Sequence, residues 1–274
     1  MIFFLLIPWA VFVWYSPRLA IISLIGLLPT YLWRGEIFTI PTTWFELALY
    51  IVALKLIFPL NEFVNLIRGW WQSHRAWMLG IILWLVGAFM GVIVAPNIKI
   101  SLGIFKGWIF DPIVYIVLLG QILTETTAPK IIWQKVIGWA LVGTSLTTLW
   151  GLNFTTAERL RVWYDSPNVL AMYLVPIAVV AWLWYWLENS NNKSKMWRSW
   201  WLIGCVITTV GVLLTNSYAG VLALLIGLLV GLLAIKFNKI NLAKLIILIL
   251  ILLGIGLPFL GKGFTSNLPA HQNN

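Results

Sequence analysis

Apolar runs of roughly 17–25 residues recur along the whole chain, divided by short polar stretches, and that is the length an α-helix needs to cross a bilayer. Only 9% of the residues are charged while 61% are hydrophobic. A soluble domain carries about 25% charged residues, so this chain has too little polar surface to face water on all sides. The expected fold is therefore all-α, a polytopic integral membrane protein with about ten transmembrane helices.

The apolar segments run near 2–15, 19–33, 43–60, 76–95, 111–124, 133–153, 167–187, 199–215, 218–236 and 243–260. The first is short and bears Pro8, so an interfacial segment remains an alternative there. It lacks a basic start and a small-residue cleavage site, and reads as a retained helix rather than a signal peptide. No internal repeat or inserted soluble domain interrupts the pattern. Residues 1–260 read as a single transmembrane domain, and 261–274 as a short polar tail.

Aromatic residues fit the same class. Trp33, Trp44, Trp70, Trp71, Trp150, Trp163, Trp200 and Trp201 lie near expected helix ends, where amphipathic rings favour the headgroup region. The net charge of +10 comes from single Lys and Arg residues spread through the loops, with no dense basic stripe. Anchoring and orienting helices accounts for them, and no nucleic-acid partner is expected. Cys205 is alone, so no intrachain disulfide is available.

Loop charges also predict an orientation. One alternate set of loops holds Arg18, Arg68, Arg75, Lys130, Lys135, Lys193, Lys195, Arg198, Lys236, Lys239 and Lys244, eleven in all. The other holds six: Arg34, Lys99, Lys106, Arg159, Arg161 and Lys262. The richer set is expected in the cytoplasm. The polar loop 154–166, the turn at Asn216-Ser217 and the tail then share the outer face.

That polar loop is the first place where chemistry is expected. Pro167 suits the first turn of a helix, Ser166 is a good N-cap, and Asp165 complements the positive helix end. Arg159 and Arg161 lie close to the same helix N-terminus, where free N–H groups and guanidinium groups can hold an anion such as a diphosphate. An external loop merely solvated by Arg and Glu remains open on these residues alone. The second place is Leu214-Thr215-Asn216-Ser217-Tyr218-Ala219-Gly220, where two apolar helices meet with almost no linker. Asn216 or Ser217 can cap the second helix, and Ala219 and Gly220 allow close approach to a neighbour. A simple hairpin turn explains the same residues.

Glu46 and Lys55 form a third candidate, because ionisable groups at membrane depth are costly. Nine residues apart on a helix is ~13 Å of rise, too far for a direct pair. Lys55 is expected to snorkel towards the interface. The two histidines, His74 and His271, make no metal cluster, and no phosphate-cradling glycine loop, dinucleotide fingerprint or nucleophile elbow is present. Neither a metal nor a cofactor is expected, and the absence of Asp-x-Asp pairs argues against a nucleotide-sugar donor.

The segment from Arg161 through Trp163-Tyr164-Asp165-Ser166-Pro167-Asn168 to Ala171 and Leu174 resembles a hallmark of the O-antigen ligase and polymerase superfamily. There an external arginine loop enters a membrane helix through a Pro-Asn-x-x-Ala element. Leu214-Thr215-Asn216-Ser217-Tyr218 is similar to that family's Leu-Thr-x-Ser-Arg hairpin, with Tyr218 where the family often has Arg. Leu28-Pro29-Thr30-Tyr31-Leu32 and Ile40-Pro41-Thr42-Thr43-Trp44-Phe45-Glu46 also resemble the start of bacterial members. The resemblance implies a multi-pass glycosyltransferase of a bacterial cytoplasmic membrane. It implies a glycan donor linked to undecaprenyl diphosphate and a glycan or lipid acceptor. Arg161 and Arg159, with Asn168, Ser217 and Tyr218, would bind the lipid diphosphate. In the family a large catalytic loop with a histidine base and further helices would follow Asn274, and His271 does not match that motif, so the catalytic residues are not assigned. The chain reads as the N-terminal two-thirds of such a protein, a fragment or a natural short form that lacks the proton-accepting part. The competing readings are a non-enzymatic protein that binds or moves a lipid-linked glycan, and a structural membrane subunit. Transporters often show broken helices or internal symmetry, and neither is evident in the sequence.

Overall fold

The computed structural model describes residues 2–236 except 38–39, 59, 154–158, 161, 163, 165 and 190–194. Arg161, the segment near 243–260 and the tail 261–274 lie outside the described residues.

Ten α-helices and one short β-hairpin make up the described residues. They are α1 (Leu6–Tyr15), α2 (Pro17–Leu24), α3 (Trp44–Ile57), α4 (Leu60–Ser73), α5 (Arg75–Ile93), α6 (Ile98–Glu125), α7 (Pro129–Leu152), α8 (Pro167–Asn189), α9 (Lys195–Leu214) and α10 (Tyr218–Lys236). After α2 the chain tightens into a 3₁₀ segment, Ile25–Leu32. The antiparallel strands β1 (Arg34–Ile37) and β2 (Ile40–Thr43) then lead into α3.

Local chemistry sets these boundaries. Pro17, Pro129 and Pro167 each open a helix, where a missing N–H leaves no bond unmade. Thr43 and Glu46 form a capping box on α3: the Glu46 N–H donates to Thr43 Oγ1 at 3.2 Å, and the Thr43 N–H donates to Glu46 Oε2 at 3.0 Å. Asn97 caps α6 by accepting from the Ile100 N–H at 3.1 Å.

Five helices are long and apolar enough to cross a membrane: α5, α6, α8, α9 and α10. Together they define a helical, multi-pass membrane protein. Helix α7 matches them in length with 24 residues but carries Thr144, Ser145, Thr147 and Thr148 on its buried side. It sits at the centre. The Thr144 and Thr208 hydroxyls lie 2.9 Å apart across α7 and α9, and the Gly26 carbonyl comes so close to Gly143 that a Cβ there would lie 2.2 Å from it. Small residues and hydroxyls are what hold helices together where lipid removes the hydrophobic drive between them. In α5 only 6% of the apolar window is buried against protein, compared with 33% in α8, so α5 presents nearly its whole surface outwards.

On one side of α7, Val13, Ile21, Ile22, Leu24, Leu49, Val52, Leu118 and Ile122 form a core between α1, α2, α3 and α6. On the other, Leu170, Leu174, Ala178, Val212 and Leu224 join α8, α9 and α10.

Three differences from the sequence expectation concern helix limits. The chain forms helix α4 where the sequence pattern predicts a loop, because its strongly amphipathic pattern lacks an unbroken apolar run. Its Trp70 ring lies against Gly120 of α6. Helix α6 begins at Ile98 rather than near residue 111, with Lys99 and Lys106 included in it. Lys99 and Lys106 therefore lie within α6 rather than in an outer loop. The segment near 19–33 is broken at Leu24 into α-helix and 3₁₀ turns, with Pro29 inside the latter.

Candidate functional site

Loop 159–168 is fastened to the α9–α10 hairpin by backbone and side chain together. The Leu160 N–H donates to the Leu214 carbonyl at 2.8 Å. Arg159 donates from Nε to the Thr215 carbonyl at 2.9 Å and from a terminal nitrogen to Asn168 Oδ1 at 3.0 Å. One guanidinium thus joins the turn between α9 and α10 to the first turn of α8. Its planar fork of five donors suits such a junction and leaves further N–H groups for an acceptor.

Both helix starts at this junction are capped by serine. Ser166 Oγ accepts from the Val169 N–H at 3.3 Å, and Ser217 Oγ accepts from the Gly220 N–H at 3.2 Å. Asn216, with φ 48°, makes the left-handed turn that lets α9 stop and α10 start at once; Asn is among the few non-glycine types that tolerate it. Val162 is also left-handed, with φ 54°, which is costly for a β-branched residue and is held by its surroundings.

Those surroundings are tight. Leu160 is buried against Leu170, Leu174 and Val212, and the Tyr164 ring stacks on Tyr173 with centroids 6.0 Å apart. Burial pushes the Tyr164 phenol well above its ordinary pKa, so it stays neutral. A Cβ on Gly151 would lie 2.5 Å from Val162 Cγ2 and 2.8 Å from Leu160 Cδ1, so the end of α7 needs glycine to admit the loop. Across α8 and α10, a Cβ on Gly220 would lie 2.8 Å from the Ala171 Cβ.

The structure therefore unites Arg159, Asn168 and Ser217, three of the residues singled out in the sequence, around the Thr215 backbone. Tyr218 differs: its side chain is 83% exposed and stands outside the packed junction. Arg161 lies outside the described residues, although its neighbours Leu160 and Val162 are part of the docked loop. The sequence reading missed Gly151 and the Thr215 carbonyl. Nothing in a lone glycine or a backbone carbonyl marks it before the loop and hairpin are known to meet.

The third candidate is rearranged. Glu46 pairs with Lys106 at 2.9 Å, and Lys55 lies 4.0 Å over the Trp14 ring as a cation–π contact. Among the described residues no group of His, Cys, Asp and Glu is placed to hold a metal ion.

The junction and the spans define a class, a multi-pass helical membrane protein with a capped polar junction at one end of its bundle. Compared with protein-family models, curated proteins and solved structures, the chain matches none.

Proposed function

We propose that this is an O-antigen ligase- or polymerase-like membrane protein. In this reading it handles undecaprenyl-diphosphate-linked glycan at the outer face of a bacterial cytoplasmic membrane, and transfers the glycan when a catalytic loop completes it. One observation carries the reading: the two motifs that resemble that superfamily meet through Arg159, which bonds Asn168 of the first and Thr215 of the second, 47 residues apart in the chain.

The electrostatics favour an anion there. Two helix N-termini, those of α8 and α10, each place about half a positive charge at the junction, and Arg159 adds a full one. A diphosphate has oxygens enough to engage several such donors at once. In this reading Arg159 shapes the site and contributes one contact, while Arg161, two residues on, is the main diphosphate ligand. Asn168 and Ser217 fix the helix ends, and Tyr218 meets the carrier's headgroup.

The test is donor binding by the chain in nanodiscs, with melting temperature followed in parallel. Arg161→Ala should weaken binding of the lipid-diphosphate glycan by about tenfold or more, the loss of one charged hydrogen bond of about 1.5–3 kcal/mol, with melting unchanged. Arg159→Ala should weaken binding and also lower the melting temperature, since it unties the loop. Unchanged donor affinity in both variants would sink the assignment.

A further inference from the structure

Away from the loop junction, α3 and α6 bring five polar side chains together inside the bundle. Glu46 and Tyr50 come from α3, Lys106 and Asp111 from α6, and Tyr31 from the 3₁₀ segment, where its hydroxyl abuts Gly107. Asp111 is the fourteenth of the 28 residues of α6, the midpoint of a candidate span. Glu46 and Asp111 are each only 2% exposed.

A break in helix geometry creates this arrangement. Residues Lys106–Phe110 form a π turn, and the Asp111 N–H donates to the Lys106 carbonyl five residues back. In a regular α-helix two residues five apart point ~140° away from each other. The wider turn brings Lys106 and Asp111 towards one face, the face that meets α3. π turns of this kind are frequent at functional sites.

Hydrogen bonding assigns the two carboxyl groups different states. Glu46 Oε2 accepts from the Lys106 ammonium at 2.9 Å and from the Thr43 N–H at 3.0 Å, the partners of an ionised carboxylate. Asp111 Oδ1 accepts from the Tyr50 hydroxyl at 2.6 Å, but its Oδ2 is fully buried with no partner. The charged groups that face Asp111 are Glu46 and Lys106; Tyr31 stands beside them, with Arg34 of β1 acting on Tyr31. With both carboxyls ionised the cluster carries one uncompensated negative charge in a low-dielectric interior, which is strongly unfavourable. One proton on Oδ2 removes that charge and gives the orphan oxygen a hydrogen to donate.

We propose that Asp111 and Glu46, with Lys106 as their counter-ion, form an intramembrane proton-binding site whose ligand is a single proton carried by Asp111. This stands independently of the lipid-diphosphate reading. Of the chain's two aspartates, only Asp111 lies in this cluster and the other is Asp165.

The experiment is infrared spectroscopy of the chain in nanodiscs at neutral pH, where water-exposed carboxyls with pKa values of about 4 are ionised and silent in the carboxylic-acid region. The native chain should show a carboxylic-acid C=O band that moves to lower frequency when only its aspartates carry ¹³C. The band should persist in Asp165→Asn and vanish in Asp111→Asn. The isotope shift needs no variant, so the result survives poor folding of Asp111→Asn. A band that fails to move with labelled aspartate, the absence of any such band, or a band that appears only when sodium is withdrawn would each overturn the proposal; the last would make the site one for a metal cation.

Discussion

Arg159 is where a loop that looks merely solvated becomes part of the fold. Its side chain ties the α9–α10 turn to the start of α8, and the loop backbone follows through Leu160 and Val162. Because the loop lies hard against α7, Gly151→Ala should displace it at a cost of about 1–3 kcal/mol, the usual range for overpacking. Thermal unfolding of the purified variant checks this, and a melting temperature equal to that of the native chain would mean the loop is not seated there. Ser166 and Pro167 were legible in the sequence because capping chemistry is local. The partners of Arg159 were not, since Thr215 is 56 residues away and only the packing of α8 between α9 and α10 brings it near.

Among the elements, α7 joins the two halves of the bundle with buried hydroxyls as well as with apolar side chains such as Ile137 and Leu141. The Thr144–Thr208 contact is the clearest case, at 2.9 Å and fully buried. A double-mutant cycle with Thr144→Val and Thr208→Val should return a coupling energy of ~0.6 kcal/mol, within a ceiling of about 1.7, as is typical between membrane helices. Zero coupling would contradict the α7–α9 packing. Sequence periodicity read α10 to the residue at both ends and placed the start of α8, where Pro and Ser punctuate long apolar runs. It failed where polarity and helix coincide. In α4 the apolar residues fall on one stripe only, and in α6 Lys99, Lys106 and Asp111 interrupt the run that the helix nevertheless continues through. The β1–β2 hairpin was hidden by Pro41, which strands usually exclude.

Across the whole molecule, contacts between distant loops agree with the alternation drawn from their charges. Arg18 pairs with Glu125 at 2.8 Å, and Lys130 pairs with Glu188, joining loops assigned to the cytoplasm. Arg159 meets Thr215 and Asn168, all assigned to the opposite side. The exposed Arg18–Glu125 pair contributes little stability, but these contacts show which helix ends share a side. The Glu46–Lys106 pair could not be read from sequence: the partners are 60 residues apart, and the π turn that aims Lys106 has no compositional mark. Orientation itself can be checked by labelling single cysteines in a Cys205→Ala background with a membrane-impermeant maleimide. Glu158→Cys should react in intact spheroplasts and Lys193→Cys only after permeabilisation, and the reverse pattern would invert the proposed topology.

In the proposed function, loop 159–168 and the 214–220 hairpin together form one lipid-diphosphate site. It is tested most directly by photocrosslinking the chain in nanodiscs with an undecaprenyl diphosphate analogue that carries its reactive group beside the phosphates. Label is expected on peptides from both segments, reduced by unlabelled lipid diphosphate and much less by the same lipid without phosphate. Label confined to other helices, or label on these two segments that excess lipid diphosphate does not compete away, would contradict it.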